Sequence, residues 1–171
     1  MIGVEINPVR GVNEKTLREL ERLRKKIKHP SEANKNVAVR LERWVHENFD
    51  TEGGKVGGWA PYKYGGRVVT KKSGKANARS VEGRKYVDAS AQLLYDSGNL
   101  RGKFIPFWDD TNAGIGTLVP YSVYHETGTK FLPRRQLIPD SDDPEITTLF
   151  IRIYEDFIVH AAEDTGFEVT K

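Results

Sequence analysis

Side chains able to carry acid–base or metal chemistry are few and scattered in this chain. The four histidines, His29, His46, His125 and His160, stand at no spacing that would place two imidazoles on one metal ion. His46 lies beside the apolar stripe of a predicted helix, with no second ligand one turn away. His125 and Glu126 are adjacent, so in an extended segment they face opposite sides and do not act as one acid–base pair. Ser97 and Ser122 sit in no nucleophile-elbow pattern. Asp109-Asp110 and Asp142-Asp143 could hold a cation, but turn formation and helix capping explain them more simply. Cysteine is absent, which removes disulfides and thiolate sites and suits a reducing cytoplasm. The expectation is a protein with no catalytic residue, no metal and no cofactor.

The chemistry that remains is recognition, and it is densest over residues 121–139. Tyr121, Tyr124, His125, Arg134 and Arg135 crowd a segment punctuated by Pro120, Gly128, Pro133 and Pro139. Proline removes a backbone donor and glycine permits a bend that other residues resist, so the segment reads as an ordered corner. An imidazole at such a corner commonly bonds a nearby backbone carbonyl, and His125 is predicted to lock the turn that way and orient the two arginines. The planar guanidiniums of Arg134 and Arg135 could then clamp a carboxylate on a neighbouring subunit or serve within their own chain.

A second concentration lies between residues 50 and 88. This stretch is glycine-rich, and from 63 to 85 it carries Lys63, Arg67, Lys71, Lys72, Lys75, Arg79, Arg84 and Lys85 against Glu82 alone. The pairs Gly53-Gly54 and Gly57-Gly58 are followed by no Gly-Lys-Ser/Thr step, so the nucleotide-loop signal is very weak. The stretch reads as a long loop, an arm that orders against a neighbour with Trp59, Tyr62 and Tyr64 as aromatic anchors. Bases could stack on the same aromatics, which keeps a nucleic-acid-binding alternative, through loop 63–85, open.

Charge points the same way. The net charge of +3 hides an asymmetry: residues 1–105 hold 22 Lys and Arg against 12 Asp and Glu, whereas 106–171 hold 5 against 12. A chain so polarised can pair head to tail with copies of itself, or touch nucleic acid through its basic part. Self-association or a protein partner is preferred, because the cations are spread over helices and loop alike. No apolar run approaches the roughly 20 residues that cross a bilayer, and the first residues lack a signal-peptide layout, so no membrane contact is expected.

The elements that must position these groups follow from periodicity. At 171 residues one domain is expected, able to bury about two thirds of its unfolded surface. Residues 2–6 alternate as a short strand. Leu17, Leu20, Leu23 and Ile27 recur at helical spacing over 13–28, with Asn13 as a cap. The other faces of that helix carry Arg18, Arg22, Arg24, Lys25, Lys26 and Lys28, read as a solvated face partly offset by Glu14, Glu19 and Glu21. A second helix starts at Ser31 or Asn34 and runs to about Phe49 on the stripe Val37, Leu41, Trp44, Val45 and Phe49. A short helical turn is predicted over 89–95, then a hairpin of 100–108 with 113–119, in which Gly114 and Gly116 signal a bulge or a close backbone approach. The last helix is predicted to be capped by Asp142, with Pro144 in its first turn and an apolar stripe from Ile146 to Ile158; a terminal strand or frayed end follows. The fold class is α+β: a small, mostly antiparallel sheet, helices packed on one side, and a long basic loop. Within the single domain 1–171, 13–49 is helical, 50–88 the loop, and 89–171 the hairpin, corner and last helix.

Four of these stretches occur in a familiar order. Trp59-Ala60-Pro61, then 93–100 with Leu93-Leu94 and Ser97-Gly98-Asn99-Leu100, then Tyr121 through Gly128 with His125, and finally Leu132-Pro133-Arg134-Arg135 before the last helix together resemble the phage virion morphogenesis, or tail completion, proteins. The resemblance spans roughly residues 30–160. Arg135-Gln136-Leu137 stands where many relatives show a proline and a phenylalanine, and the first helix is unusually basic. The resemblance implies a non-enzymatic virion protein of the neck or head-proximal tail end, assembled in the host cytoplasm. It implies a ring of six copies, with twelve as the alternative, against neighbouring neck, connector or tail-tube proteins. The basic loop would then line a channel in transient contact with packaged DNA, or contact a partner protein.

Overall fold

A computed structural model describes residues 13–61, 67–70, 85–88, 92–94 and 98–167, the two short segments 67–70 and 85–88 by their backbone. In order the elements are α1 (Glu14–Lys28), α2 (Ser31–Asp50), β1 (Arg67–Thr70), β2 (Lys85–Asp88), β3 (Phe104–Trp108), β4 (Ala113–Thr117), α3 (Ser122–Thr127) and α4 (Pro144–Asp164). The fold is α+β as expected, and among the described residues its strands form two two-stranded sheets. β1 and β2 pair antiparallel, Arg67 opposite Asp88 and Thr70 opposite Lys85. They lie inside the stretch read as loop, and four-residue strands with two adjacent apolar residues each carry too little alternation to signal themselves. The link between β3 and β4, four residues long, permits only an antiparallel hairpin.

The chain gathers into two compact units. Unit 1 comprises Met1–Val39, Phe107–Gly114 and Ser141–Lys171; unit 2 comprises Arg40–Pro106 and Ile115–Asp140. The predicted strand 2–6 lies outside the described residues, as do the terminal residues 168–171.

In unit 1, α1 begins as the sequence predicts: Asn13 Oδ1 accepts from the Thr16 N–H at 2.8 Å and occupies one of the orphan donors of the first turn. None of its residues is buried. Lys26 reaches Asp164 at the end of α4 at 2.6 Å. The first turns of α2 bury Ala33, Asn34, Val37 and Ala38. Asn34 is satisfied on both sides, donating from Nδ2 to the Asp109 carbonyl at 2.7 Å and accepting from the Tyr154 hydroxyl. α4 is capped one residue later than predicted: Asp143, not Asp142, accepts from the N–H groups of Glu145 and Ile146, because Pro144 takes the first helical position with its preset φ and missing donor. The hairpin turn is an Asx turn, with Asp109 Oδ1 accepting from the N–H groups of Thr111 and Asn112 at 2.6 and 2.7 Å. These donors hold the Asp109 carboxyl down to about 2, the Thr111 N–H contributing most.

Unit 2 is built around the second half of α2. Leu41, Trp44, Val45 and Phe49 are buried as the stripe predicts, and full burial of each such side chain is worth about 1.5–3 kcal/mol. Phe49 meets Trp59 edge-on at 5.1 Å between ring centroids and lies 6.0 Å from Phe104. The chain leaves α2 through Gly53, whose φ of +89° lets its N–H return to the Asn48 carbonyl at 2.7 Å. A Cβ at Gly53 would sit 2.4 Å from the Trp59 ring. Gly53 thus lets the chain leave the helix and admits an indole. Of the predicted helical turn 89–95, residues 92–94 are described and form a non-helical turn, with Leu94 at φ +57°. Leu93 is buried and its N–H donates to Glu52 Oε1 at 2.8 Å.

Candidate functional site

The corner that follows β4 is braced from several directions within unit 2. It opens with α3, a short helix over 122–127 where an extended segment was expected, so His125 and Glu126 do not alternate across a strand. Gly128 then turns the chain back at φ +73° and ψ 171°, and a Cβ there would lie 2.9 Å from the Arg134 nitrogen. The returning segment is tied to α3 by a series of hydrogen bonds. The Arg135 N–H donates to the His125 carbonyl at 2.7 Å, Arg134 Nε donates to the Glu126 carbonyl at 2.9 Å, and Glu126 Oε2 accepts from the Leu137 N–H at 2.7 Å. Each bond satisfies a backbone group at a helix end or beyond it, which is why so short a helix holds.

A second set of ties binds the corner to the segment after α2. Trp59 Nε1 and Asn48 Nδ2 both donate to the Gln136 carbonyl, at 2.8 and 2.9 Å. The Arg135 guanidinium donates through Nε and Nη2 to the Ala60 carbonyl at 3.0 and 2.9 Å. Leu137, between these anchors, is only 1% exposed.

This geometry redistributes the roles assigned from sequence. Trp59 is 7% exposed and belongs to the core, so it is not an accessible anchor: its ring fills the space above Phe49 and its N–H is used internally. Arg135 is 4% exposed and grips its own chain, because a guanidinium this deeply buried needs acceptors at hand. Arg134 stays exposed but leans on Glu126 and on Asp140, at 3.8 and 3.7 Å. His125 locks the turn through its backbone carbonyl, not its ring. Its Nδ1 is buried without a hydrogen-bond partner among the described residues, and burial, with the Arg135 charge second, lowers its pKa below 6.5. Tyr121 packs edge-on to that imidazole and accepts from Asn99 at 3.3 Å; Tyr124 faces solvent. Tyr62, Tyr64, Lys63, Lys71, Lys72, Lys75 and Arg79 lie outside the described residues, and Arg67 is placed by its backbone in β1.

What the sequence reading missed is the apolar dress of this corner. Leu118 is 89% and Phe131 87% exposed, and Ile105, Val123, Leu132 and Ile138 are also exposed. Beside α3 runs a groove of about 160 Å³ lined mainly by Phe104, Ile115, Val123, Leu137 and Ile138, with Glu126 as its ionisable group. The signal available beforehand was Phe131 itself, a large aromatic set among turn residues with no apolar periodicity to bury it.

Candidate chemical groups elsewhere are engaged separately. His29 Nδ1 pairs with Asp110 at 2.9 Å, and His160 Nδ1 donates to the Asp156 carbonyl at 2.7 Å. Partly buried His46 keeps its Nδ1 without a partner among the described residues. Among those residues no group of three His, Asp or Glu is placed to hold a metal ion, and no helix is long and apolar enough to cross a membrane. Compared with known proteins, the chain matches no family model, no curated protein and no solved structure.

Proposed function

We propose that this protein is a non-enzymatic structural component of a tailed-phage virion, joining head to tail or completing the tail as a ring of identical copies. The observation that carries this reading is the exposed apolar set of unit 2, Leu118, Val123, Tyr124 and Phe131 among it, mounted on a corner braced by side-chain-to-backbone bonds. Large exposed apolar residues on a rigid support favour a protein partner, since little ordering entropy remains to be lost on docking. The order of motifs that resembles tail completion proteins supplies the virion setting, and the +10 and −7 halves of the chain favour head-to-tail contacts between copies. Six copies are favoured and twelve is the alternative, and the nearest partners would be connector or tail-tube proteins.

The nucleic-acid alternative draws on fewer described features. Its loop lies mostly outside the described residues, and on α1 Lys15, Arg18 and Lys26 lean on Glu19, Glu14 and Asp164. The deciding measurement is location: a tag at Lys171, purified virions and gold label seen by electron microscopy. Label between head and tail is expected. Its absence from virions would abandon the neck assignment and leave DNA binding, with its steep salt dependence, as the next test.

A further inference from the structure

The turn that carries Phe131 is closed from both ends. The Thr129 N–H donates to the Leu132 carbonyl at 2.8 Å, the Leu132 N–H returns to the Thr129 carbonyl at 3.3 Å, and Thr129 Oγ1 accepts from the N–H groups of Phe131 and Leu132 at 3.2 and 3.0 Å. Phe131 therefore projects from a preorganised loop, and its ring is left in water. A phenylalanine can bury about 150–250 Å² when it finds a pocket, and it has not entered the groove of its own unit. That groove, at about 160 Å³, has the size of an apolar cavity known to hold one benzene, roughly 150 Å³. Charges match as well as volumes. Lys130 Nζ stands 5.8 Å from the Phe131 ring centroid, while the groove carries the Glu126 carboxylate, which accepts from the Leu137 N–H and meets Arg134 only at 3.8 Å, leaving room for a second cation.

We propose that Phe131 of one copy seats in the groove beside α3 of a second copy, with Lys130 approaching Glu126 of that copy. The inference rests on the ring reading above and names its contact. Knob and groove are different surfaces of one chain, so each copy offers one of each, and a heterologous contact repeated around an axis closes into a ring.

The test uses the full chain in three forms: wild type, Phe131→Ala, and Val123→Trp, which enlarges a half-exposed side chain that lines the groove. Light scattering after gel filtration reads the mass, and melting curves check the fold. The wild type is expected to be oligomeric. Each variant alone should associate about thirty-fold more weakly, as loss of an interface hot spot does. An equimolar mixture of the two should form a 1:1 pair, because one supplies the knob and the other the groove. Should Val123→Trp unfold, the solvent-exposed Phe131→Ala still decides the matter alone. Wild-type oligomers from both variants would overturn the contact and leave the ring standing. A wild type that stays monomeric at its highest soluble concentration would overturn contact and ring together, while gold labelling reads the virion location independently. A Phe131-dependent dimer that grows no further would keep the contact and remove the ring.

Discussion

Arg135 and Ala60, 75 residues apart, are joined by two hydrogen bonds from one guanidinium to one carbonyl. The arginine beside it, Arg134, points outward to Glu126 and Asp140. Adjacent residues of one type thus do different work. Arg135→Ala strips the half-buried Ala60 carbonyl of charged donors and is expected to cost about 1.5–3 kcal/mol, whereas Arg134→Ala should stay within about 1 kcal/mol, as exposed ion pairs do. Urea midpoints of the two variants check this, and equal midpoints would remove the bracing role of Arg135.

Trp59 and Asn48 share the Gln136 carbonyl. Trp59→Phe keeps most of the ring and leaves Asn48 bonded, so about 0.5–1.5 kcal/mol should be lost. Trp59→Ala also empties the space against Phe49, and about 3–5 kcal/mol is expected. Thermal melts that cannot tell the two apart would mean that the indole ring contributes little to packing.

Gly128 and Gly116 form a matched pair of backbone probes. Gly128→Ala forces a side chain into a glycine-only conformation and against the Arg134 backbone, and should destabilise by about 1–3 kcal/mol. Gly116 meets nothing within 4 Å, so Gly116→Ala is expected to be neutral or stabilising by up to about 1 kcal/mol. Denaturant titrations in which Gly128→Ala behaves like Gly116→Ala would contradict the corner's geometry.

His125 and Asp109 each give stability a pH dependence of calculable sign. His125 titrates below 6.5 when folded, so the unfolded chain takes up the proton first. Its contribution is complete above 6.5 and is lost as pH falls from there through the lowered folded value. Asp109, held at about 2 against an ordinary 3.8, contributes fully above 3.8 and loses that contribution as pH falls toward 2. His125→Gln should flatten the first slope and Asp109→Asn the second, with stability followed by urea midpoints across pH. Unchanged slopes in these variants would assign the titration to other groups.

Much of the local structure was legible because its causes are local. Asn13 caps α1 through a bond to the third residue on, the stripe of α2 repeats within one face, and Asp109 folds its own turn through neighbours two and three residues away. Where a local signal was ambiguous the reading slipped by one residue, as at Asp142 and Asp143. Where apolar alternation was weak it failed outright, as in β1 and β2.

Composition and periodicity by themselves determined the α+β class, the three long helices, the hairpin and the polarity of charge, since these depend on side-chain spacing along the chain. Tertiary structure alone decided which residues of the recognition-rich segments face inward. Trp59 and Arg135 have the chemistry of interface anchors, and no spacing in the sequence announces that each will meet its carbonyl partner more than 70 residues away. Once those groups are used internally, the exposed surface of the corner is left to residues such as Val123, Tyr124 and Phe131, whose exposure follows from packing that no spacing along the chain encodes.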